Sequence, residues 1–252
     1  MPARQRGGQP WVRKPQAVAR AQQYHFRLLF QQGFEMARLK ILEAAGGPGL
    51  DIALGHDEYF IDTEFHREKT YFPRLALIQI SAGGRIALID PLAVDATLLR
   101  PLFEGESLAV FHAAQQDLDV LTKSIGFVTA RIFDTQLAAG FVGYSSPSLV
   151  NLAAGLLRVT VPKGDRLTDW LRRPLSADQR NYAASDVVHL PELSRLIRED
   201  LDRRGRAQWC AEACEELRTR PVGPSDPGDA WLRVKDIRTV KGRSRWVARS
   251  VA

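Results

Sequence analysis

The segment EYFIDTEFHREKTYFPRLALIQISAGGRIALIDP, residues 58–91, carries the clearest signal of architecture in the chain. Glu58 to Phe65 reads as the start of a strand. Leu75 to Ser81 (LALIQIS) reads as a second, apolar strand, and Gly83-Gly84 as a hairpin turn into a third, RIALIDP, residues 85–91. On the C-terminal side, a helical stretch over Thr97–Phe103 leads to a fourth strand, SLAVFHA, at 107–113. Ala114–Ser124 has helical period. RIFDTQLAAGF, residues 131–141, starts as a strand and turns helical at Thr135. Three further helical stretches follow, at Ser148–Leu157, Ser176–Leu190 and Pro191–Glu216. Strands first, with helices between and after them, predict an α/β domain built on a mixed sheet.

On the N-terminal side, Tyr24–Ala45 has apolar spacing compatible with a helix (Phe26, Leu29, Phe30, Phe34, Leu39, Leu42), stopped by Gly46-Gly47-Pro48-Gly49. Beyond Arg220, PVGPSDPGDA reads as a linker into a short basic tail. The expected organisation is a basic N-terminal extension over residues 1–50, one α/β domain over 51–220 and a basic tail over 221–252. No internal repeat occurs.

The chain of 252 residues carries a formal net charge of +6, unevenly placed. Met1–Phe34 holds six Lys or Arg and no acid, and Pro224–Ala252 holds seven basic residues against three Asp. These ends together exceed the total, so residues 35–223 carry about −4. An acidic body with basic arms suits a cation-binding centre whose arms hold a phosphate backbone, or equally a domain with solvated tails. No run of about 18 apolar residues occurs, which excludes a membrane-spanning helix. The basic Met1–Pro15 stretch is followed by no apolar core of a secretory signal, so a cytoplasmic location is expected. Cys210 and Cys214 are the only cysteines; with no second pair to complete a metal site they read as buried thiols.

Asp62 and Glu64 are two apart in a strand and so point to one face. Two carboxylates side by side repel each other unless a cation or a proton joins them. The pair is a candidate site for a hard, oxygen-liganded metal. Asp117 follows the fourth strand by a few residues, where a strand-to-helix turn places it at the sheet's end. Asp186 lies four residues after Tyr182, so both face the same way on one helix.

Taken together, these segments resemble a known family. IDTEFHREKTYFPRLALIQIS (61–81), HAAQQDLDVL (112–121) and YAASDVVHLPEL (182–193) resemble the three exonuclease motifs of ribonuclease D, of the tyrosine-containing subclass with an Asp-Glu-Asp-Asp quartet. FDTQLAAGF (133–141) and KGDRLTDWLRRPLSADQRNYA (163–183) are also similar to ribonuclease D, and the resemblance covers about residues 58–220. It implies a ribonuclease H-like mixed sheet of about five strands flanked by helices, with the metal site at the sheet's end. It implies Asp62, Glu64, Asp117 and Asp186 as ligands of two divalent ions, Mg²⁺ or Mn²⁺, with Tyr182 orienting the attacking water. It further implies removal of 3′-terminal nucleotides from RNA such as tRNA precursors, releasing 5′-monophosphates.

Other residues in these segments carry two readings each. Phe65 stacks on a terminal base or packs in the core, and His66 beside it is a candidate substrate contact. Lys163 and Arg166, with Arg172 and Arg173, contact substrate phosphates or form a solvated face. His112 reads as structural, Asp134 as the cap of the following helix, and Trp170 as a core anchor. Two departures stand out. Ribonuclease D proteins usually carry helical HRDC domains after the nuclease, and here WLRVKDIRTVKGRSRW only resembles the linker into the first of them. Residues 1–50 do not resemble the strand and helix that open the family fold. The rival readings are a 3′–5′ DNA exonuclease with the same quartet and a non-catalytic nucleic-acid-binding protein.

Overall fold

In the computed structural model, strands β1 (Leu42–Glu43), β2 (Glu58–His66), β3 (Arg74–Ala82), β4 (Arg85–Ile89), β5 (Leu108–Phe111) and β6 (Ile132–Asp134) form one sheet in the order β1-β4-β3-β2-β5-β6. The structure describes residues 42–43, 52–67, 72–161, 168–221, 237–239, 241–244 and 247. β2–β3 and β3–β4 pair antiparallel, whereas β1–β4, β2–β5 and β5–β6 pair parallel. The expected mixed sheet of five strands is thus present, with a two-residue strand added at its edge. Leu42 and Glu43, which helical spacing assigned to a helix, instead pair with Ala87 and Leu88 of β4; an open strand edge offers a ladder that local periodicity does not register. The rest of that expected helix lies outside the described residues.

β3 is buried along its whole length after Arg74, on both faces, which is why LALIQIS reads as an unbroken apolar run. The β3–β4 hairpin turns through Gly83 and Gly84 at φ +56° and +77°, the left-handed pair that a two-residue hairpin favours. A side chain at Gly83 would also meet the His56 ring, 2.7 Å from the nearest atom.

The helices are α1 (Arg100–Phe103), α2 (Gln115–Ile125), α3 (Thr135–Phe141), α4 (Leu149–Leu152), α5 (Ala177–Val188), α6 (Leu190–Arg203) and α7 (Ala207–Thr219). α5 packs on β2, β3 and β4, and α2 packs on β2 and β3. Under them the core includes Tyr59 stacked on Phe103 at 6.2 Å, with Phe127 edge-on to Phe103 at 5.8 Å. Three boundaries differ from the sequence reading. The stretch 148–157 is one α-turn followed by a π-turn, Ala153–Leu157, ending on Arg158 at φ +58°. Residues 191–216 split into α6 and α7 because Gly205, at φ +65°, turns the chain between them. The fourth strand is shorter than 107–113, since Ala113 already adopts φ +64°.

Cys210 and Cys214 are buried, free thiols on α7. No helix among the described residues is long and apolar enough to cross a membrane. Residues 220–252 form a separate unit, in which Ile237–Thr239 is a single 3-10 turn.

Candidate metal centre

β2 carries Asp62 and Glu64 on one face and Thr63 on the other. α5 brings Asp186 to the first face, where carboxylate oxygens of Asp62, Glu64 and Asp186 lie within 4.8 Å of one another. The start of α5 is well defined by its sequence. Ser176 Oγ accepts the Gln179 backbone N–H at 3.1 Å, and Gln179 Oε1 accepts the Ser176 N–H at 2.9 Å, a reciprocal capping box. Between Glu64 and Phe65 the β2–β3 register shifts by a bulge, which re-aims the side chains just past the acidic pair.

Asp117 lies in the first turn of α2 and is only 5% exposed. It is not one of the three clustered acids. It accepts a hydrogen bond from Thr63 Oγ1 at 2.5 Å, one residue from both Asp62 and Glu64. Burial raises the Asp62 carboxyl to a pKa of about 7. Burial, and then the charge of Asp62, push Asp117 well above the ordinary carboxylate range. Acids held close together and out of water favour protonation unless a cation supplies the compensating charge. Directly opposite Asp62 on β3 stands Gln79, fully buried, with neither amide atom hydrogen-bonded. Carboxylate oxygens are the donors suited to a hard divalent cation, and the cluster offers no nitrogen or sulfur. The residues present therefore fit such an ion.

Tyr182 stands four residues before Asp186 on α5, partly buried, its ring 6.0 Å from that of Trp170. Trp170 is 3% exposed, a core anchor as expected. Its segment is clamped by Arg173, which donates to both oxygens of Asp90 at 2.5 and 2.7 Å, and to the carbonyls of Ala76 and Trp170 at 2.7 Å each. Burial works against the Asp90 charge, but Arg173 and the Leu92 amide outweigh it and hold that carboxyl below its usual range. Arg173 is thus committed to the fold rather than offered to a phosphate, while Arg172 is exposed. Lys163 and Arg166 lie outside the described residues.

Phe65 is partly buried, with the Arg67 guanidinium 5.3 Å over its ring, and His66 ends β2 opposite Arg74. Burial lowers the His112 pKa against the opposing charge of Asp134, and its Nδ1 meets Thr135 Oγ1 at 2.9 Å. Asp134 caps α3 by accepting the Gln136 and Leu137 N–H groups. Sequence reasoning passed over Thr63, Gln79 and Asp90. Strand alternation sends Thr63 away from the acids, and nothing local announces that a distant helix brings Asp117 to meet it.

Comparison with known proteins assigns the chain to a family. Residues 53–202 match the 3′–5′ exonuclease family. Ribonuclease D of Gluconacetobacter diazotrophicus is 38% identical over 195 residues, 76% of this chain and 49% of that protein. The crystal structure of Escherichia coli RNase D, described as an exoribonuclease involved in structured RNA processing, superposes with a TM-score of 0.69 at 30% identity over 77% of this chain and 54% of that one. Brucella melitensis NrnC bound to pGG superposes with a TM-score of 0.63 at 30% identity, over 69% of this chain and 87% of that one. The chain spans about half the length of the ribonuclease D relatives it matches. With the mixed sheet, the acidic pair on β2 and the tyrosine one helical turn before Asp186, these likenesses place the chain in the ribonuclease D family of 3′–5′ exonuclease domains.

Proposed function

We propose that this chain is a metal-dependent 3′–5′ exoribonuclease, hydrolysing the last phosphodiester bonds of RNA and releasing nucleoside 5′-monophosphates. Trimming of tRNA precursors in the cytoplasm is the physiological role this reading carries. The observation behind it is the meeting of Asp62, Glu64 and Asp186 oxygens within 4.8 Å, with buried Asp117 hydrogen-bonded to Thr63 between two of them in sequence. These four carboxylates would hold two divalent ions, Mg²⁺ or Mn²⁺, which when bound supply the positive charge that activates water and stabilises the departing 3′-oxygen.

The chain's own residues have distinct parts. Asp62 and Glu64 are held by their ladder to Gln79 and Leu77 of β3, just past the last pairing of β2 with β5 at Phe60. Asp186 is carried on the capped helix α5. The Tyr182 hydroxyl, able both to donate and to accept, orients the attacking water by hydrogen bonding. The Trp170 ring packs beside that of Tyr182, tilted 41° to it. Phe65, with Arg67 over its ring, offers a face on which a terminal base can stack whatever its identity. His66, Lys163 and Arg166 complete the proposed contacts to the sugar-phosphate chain.

The test is degradation of a 5′-labelled single-stranded RNA with Mg²⁺ or Mn²⁺, beside EDTA and Asp186→Ala controls. A ladder shortening from the 3′ end and abolished by both controls is the expected result. No ladder from folded protein with either metal would sink the reading in favour of a non-catalytic nucleic-acid-binding role. A matched DNA oligonucleotide separates the exoribonuclease from a DNA exonuclease, since the 2′-hydroxyl is the group that distinguishes them.

A second reading concerns substrate length. NrnC, of which this chain covers 87%, is bound to pGG, a dinucleotide by its formula. Dinucleotides are therefore a second candidate substrate. Comparing turnover of a dinucleotide with that of a longer RNA decides between them.

A further inference from the structure

Asp134 does more than cap α3. Its Oδ1 accepts the N–H groups of Gln136 at 2.8 Å and Leu137 at 3.2 Å, which is all that a helix cap requires. The same carboxylate also accepts two N–H groups from another part of the chain: Ala113 at 3.0 Å on Oδ1, and Ala114 at 2.9 Å on Oδ2. Those two residues form the turn between β5 and α2. The neighbouring Thr135 reinforces the grip, donating to the Phe111 carbonyl at 2.9 Å and meeting His112 Nδ1 at 2.9 Å. The β6–α3 junction thus holds residues 111–114 through four hydrogen bonds.

That turn is unusual in itself. Ala113 has φ +64°, a conformation that residues with a side chain adopt rarely and at a cost, and which persists where the surroundings impose it. α2 has no side-chain cap of its own at Ala114. The point where α2 begins, and the direction it takes, is set by what holds Ala113 and Ala114. Asp117 lies in its first turn, three residues on, and reaches Thr63 at 2.5 Å. Asp134 is itself buried, at 3% exposed, so it offers no direct contact to a substrate.

We propose that Asp134 is a positioning residue for metal binding: by holding Ala113 in the left-handed turn it fixes the start of α2 and with it the Asp117 carboxylate. This rests on the reading of Asp117 as a metal ligand. Outer residues that orient a ligand change metal affinity by about 10- to 100-fold when lost.

The experiment is calorimetric titration of Mn²⁺ into the full chain, with folding of each variant verified by circular dichroism. Asp134→Asn keeps the size of the side chain but sets an N–H₂ group against backbone N–H groups that need an acceptor. Folded D134N is expected to bind Mn²⁺ about tenfold more weakly than wild type. The double variant D134N/A113G is expected to recover most of that loss, because glycine enters the left-handed turn unaided. A purely structural Asp134 would instead lower thermal stability, leave Mn²⁺ affinity unchanged and gain nothing from A113G; that result overturns the proposal. If D134N does not fold, Ala113→Val carries the test, since a branched side chain strains the same turn with Asp134 intact. Unchanged Mn²⁺ affinity in folded A113V overturns the proposal equally. A wild-type chain that binds no Mn²⁺ overturns the metal-centre reading and this inference with it, whereas equal binding by wild type and D134N overturns this inference alone.

Discussion

The Thr63 hydroxyl donates to the Asp117 carboxylate at 2.5 Å, and this one bond joins the strand bearing Asp62 and Glu64 to the helix bearing the fourth acid. Both partners are buried. Thr63→Val keeps the shape and removes the donor, leaving a buried carboxylate oxygen unpaired. A loss of about 1–3 kcal/mol in stability is expected, read by urea denaturation, together with weaker Mn²⁺ binding. Thr63→Ser, which keeps the hydroxyl, should recover both.

The metal-free protein should lose stability as the pH rises. Burial raises Asp62 to about 7, and Asp117 moves in the same direction. In the unfolded chain these groups ionise near pH 4. Below that value both states are protonated and the folded form suffers no penalty. As the pH climbs from there through about 7 the unfolded chain gains from ionising first, and stability falls. Every pH unit by which folding delays an ionisation weakens the folded state by about 1.4 kcal/mol, or roughly 3–6 °C in Tm for a chain of this size. Melting curves in EDTA from pH 5 to pH 8 check this; a Tm that rises over that interval contradicts it. Mn²⁺ should reverse the fall, most strongly at the alkaline end.

Asp117→Asn removes one of the two interacting charges. In EDTA at pH 8 its Tm should exceed that of wild type, while Mn²⁺ binding weakens. A protein more stable without its acid and less able to hold a cation is what a centre built for binding predicts.

Tyr182→Phe separates positioning from metal holding. The ring still packs on Trp170, so Mn²⁺ affinity and Tm should stay near wild type. The rate of RNA hydrolysis should fall by up to roughly 100-fold, the cost of a misplaced reacting group. Single-turnover kinetics beside Mn²⁺ titration measure both; loss of Mn²⁺ binding would move Tyr182 into the metal-holding set.

Arg173→Lys tests the clamp behind Trp170. A lysine cannot reproduce the two-pronged contact to Asp90 or reach the two carbonyls at once. The expected loss is about 1.5–3 kcal/mol, typical of hydrogen bonds to charged groups. Denaturant midpoints of the variant and wild type give the answer.

Much of the architecture was legible because its signals are local. The paired glycines and the apolar run of β3 each predict structure from neighbours within a few residues, and the helix expected from Ser176 onward is α5. The acidic pair was legible as well, since two carboxylates at i and i+2 on a strand must share a face. The misreadings occurred where a distant segment outweighs local preference. Leu42 and Glu43 follow the edge of β4, and Ala113 leaves the strand early under the pull of Asp134.

Residue type and spacing alone were enough for the mixed sheet and most of its element order, because each depends on one strand or one helix at a time. The four acids and the tyrosine were joined into one expected site only by the resemblance to ribonuclease D. How they meet belongs to the folded chain: Asp62, Glu64 and Asp186 converge while Asp117 is held one step aside by Thr63, Arg173 is locked onto Asp90, and Asp134 sets the turn before Asp117. The physical reason is range. A hydrogen bond between residues 20 to 83 positions apart depends on chain segments whose approach is set by the packing of the whole core, which no local pattern in the sequence encodes.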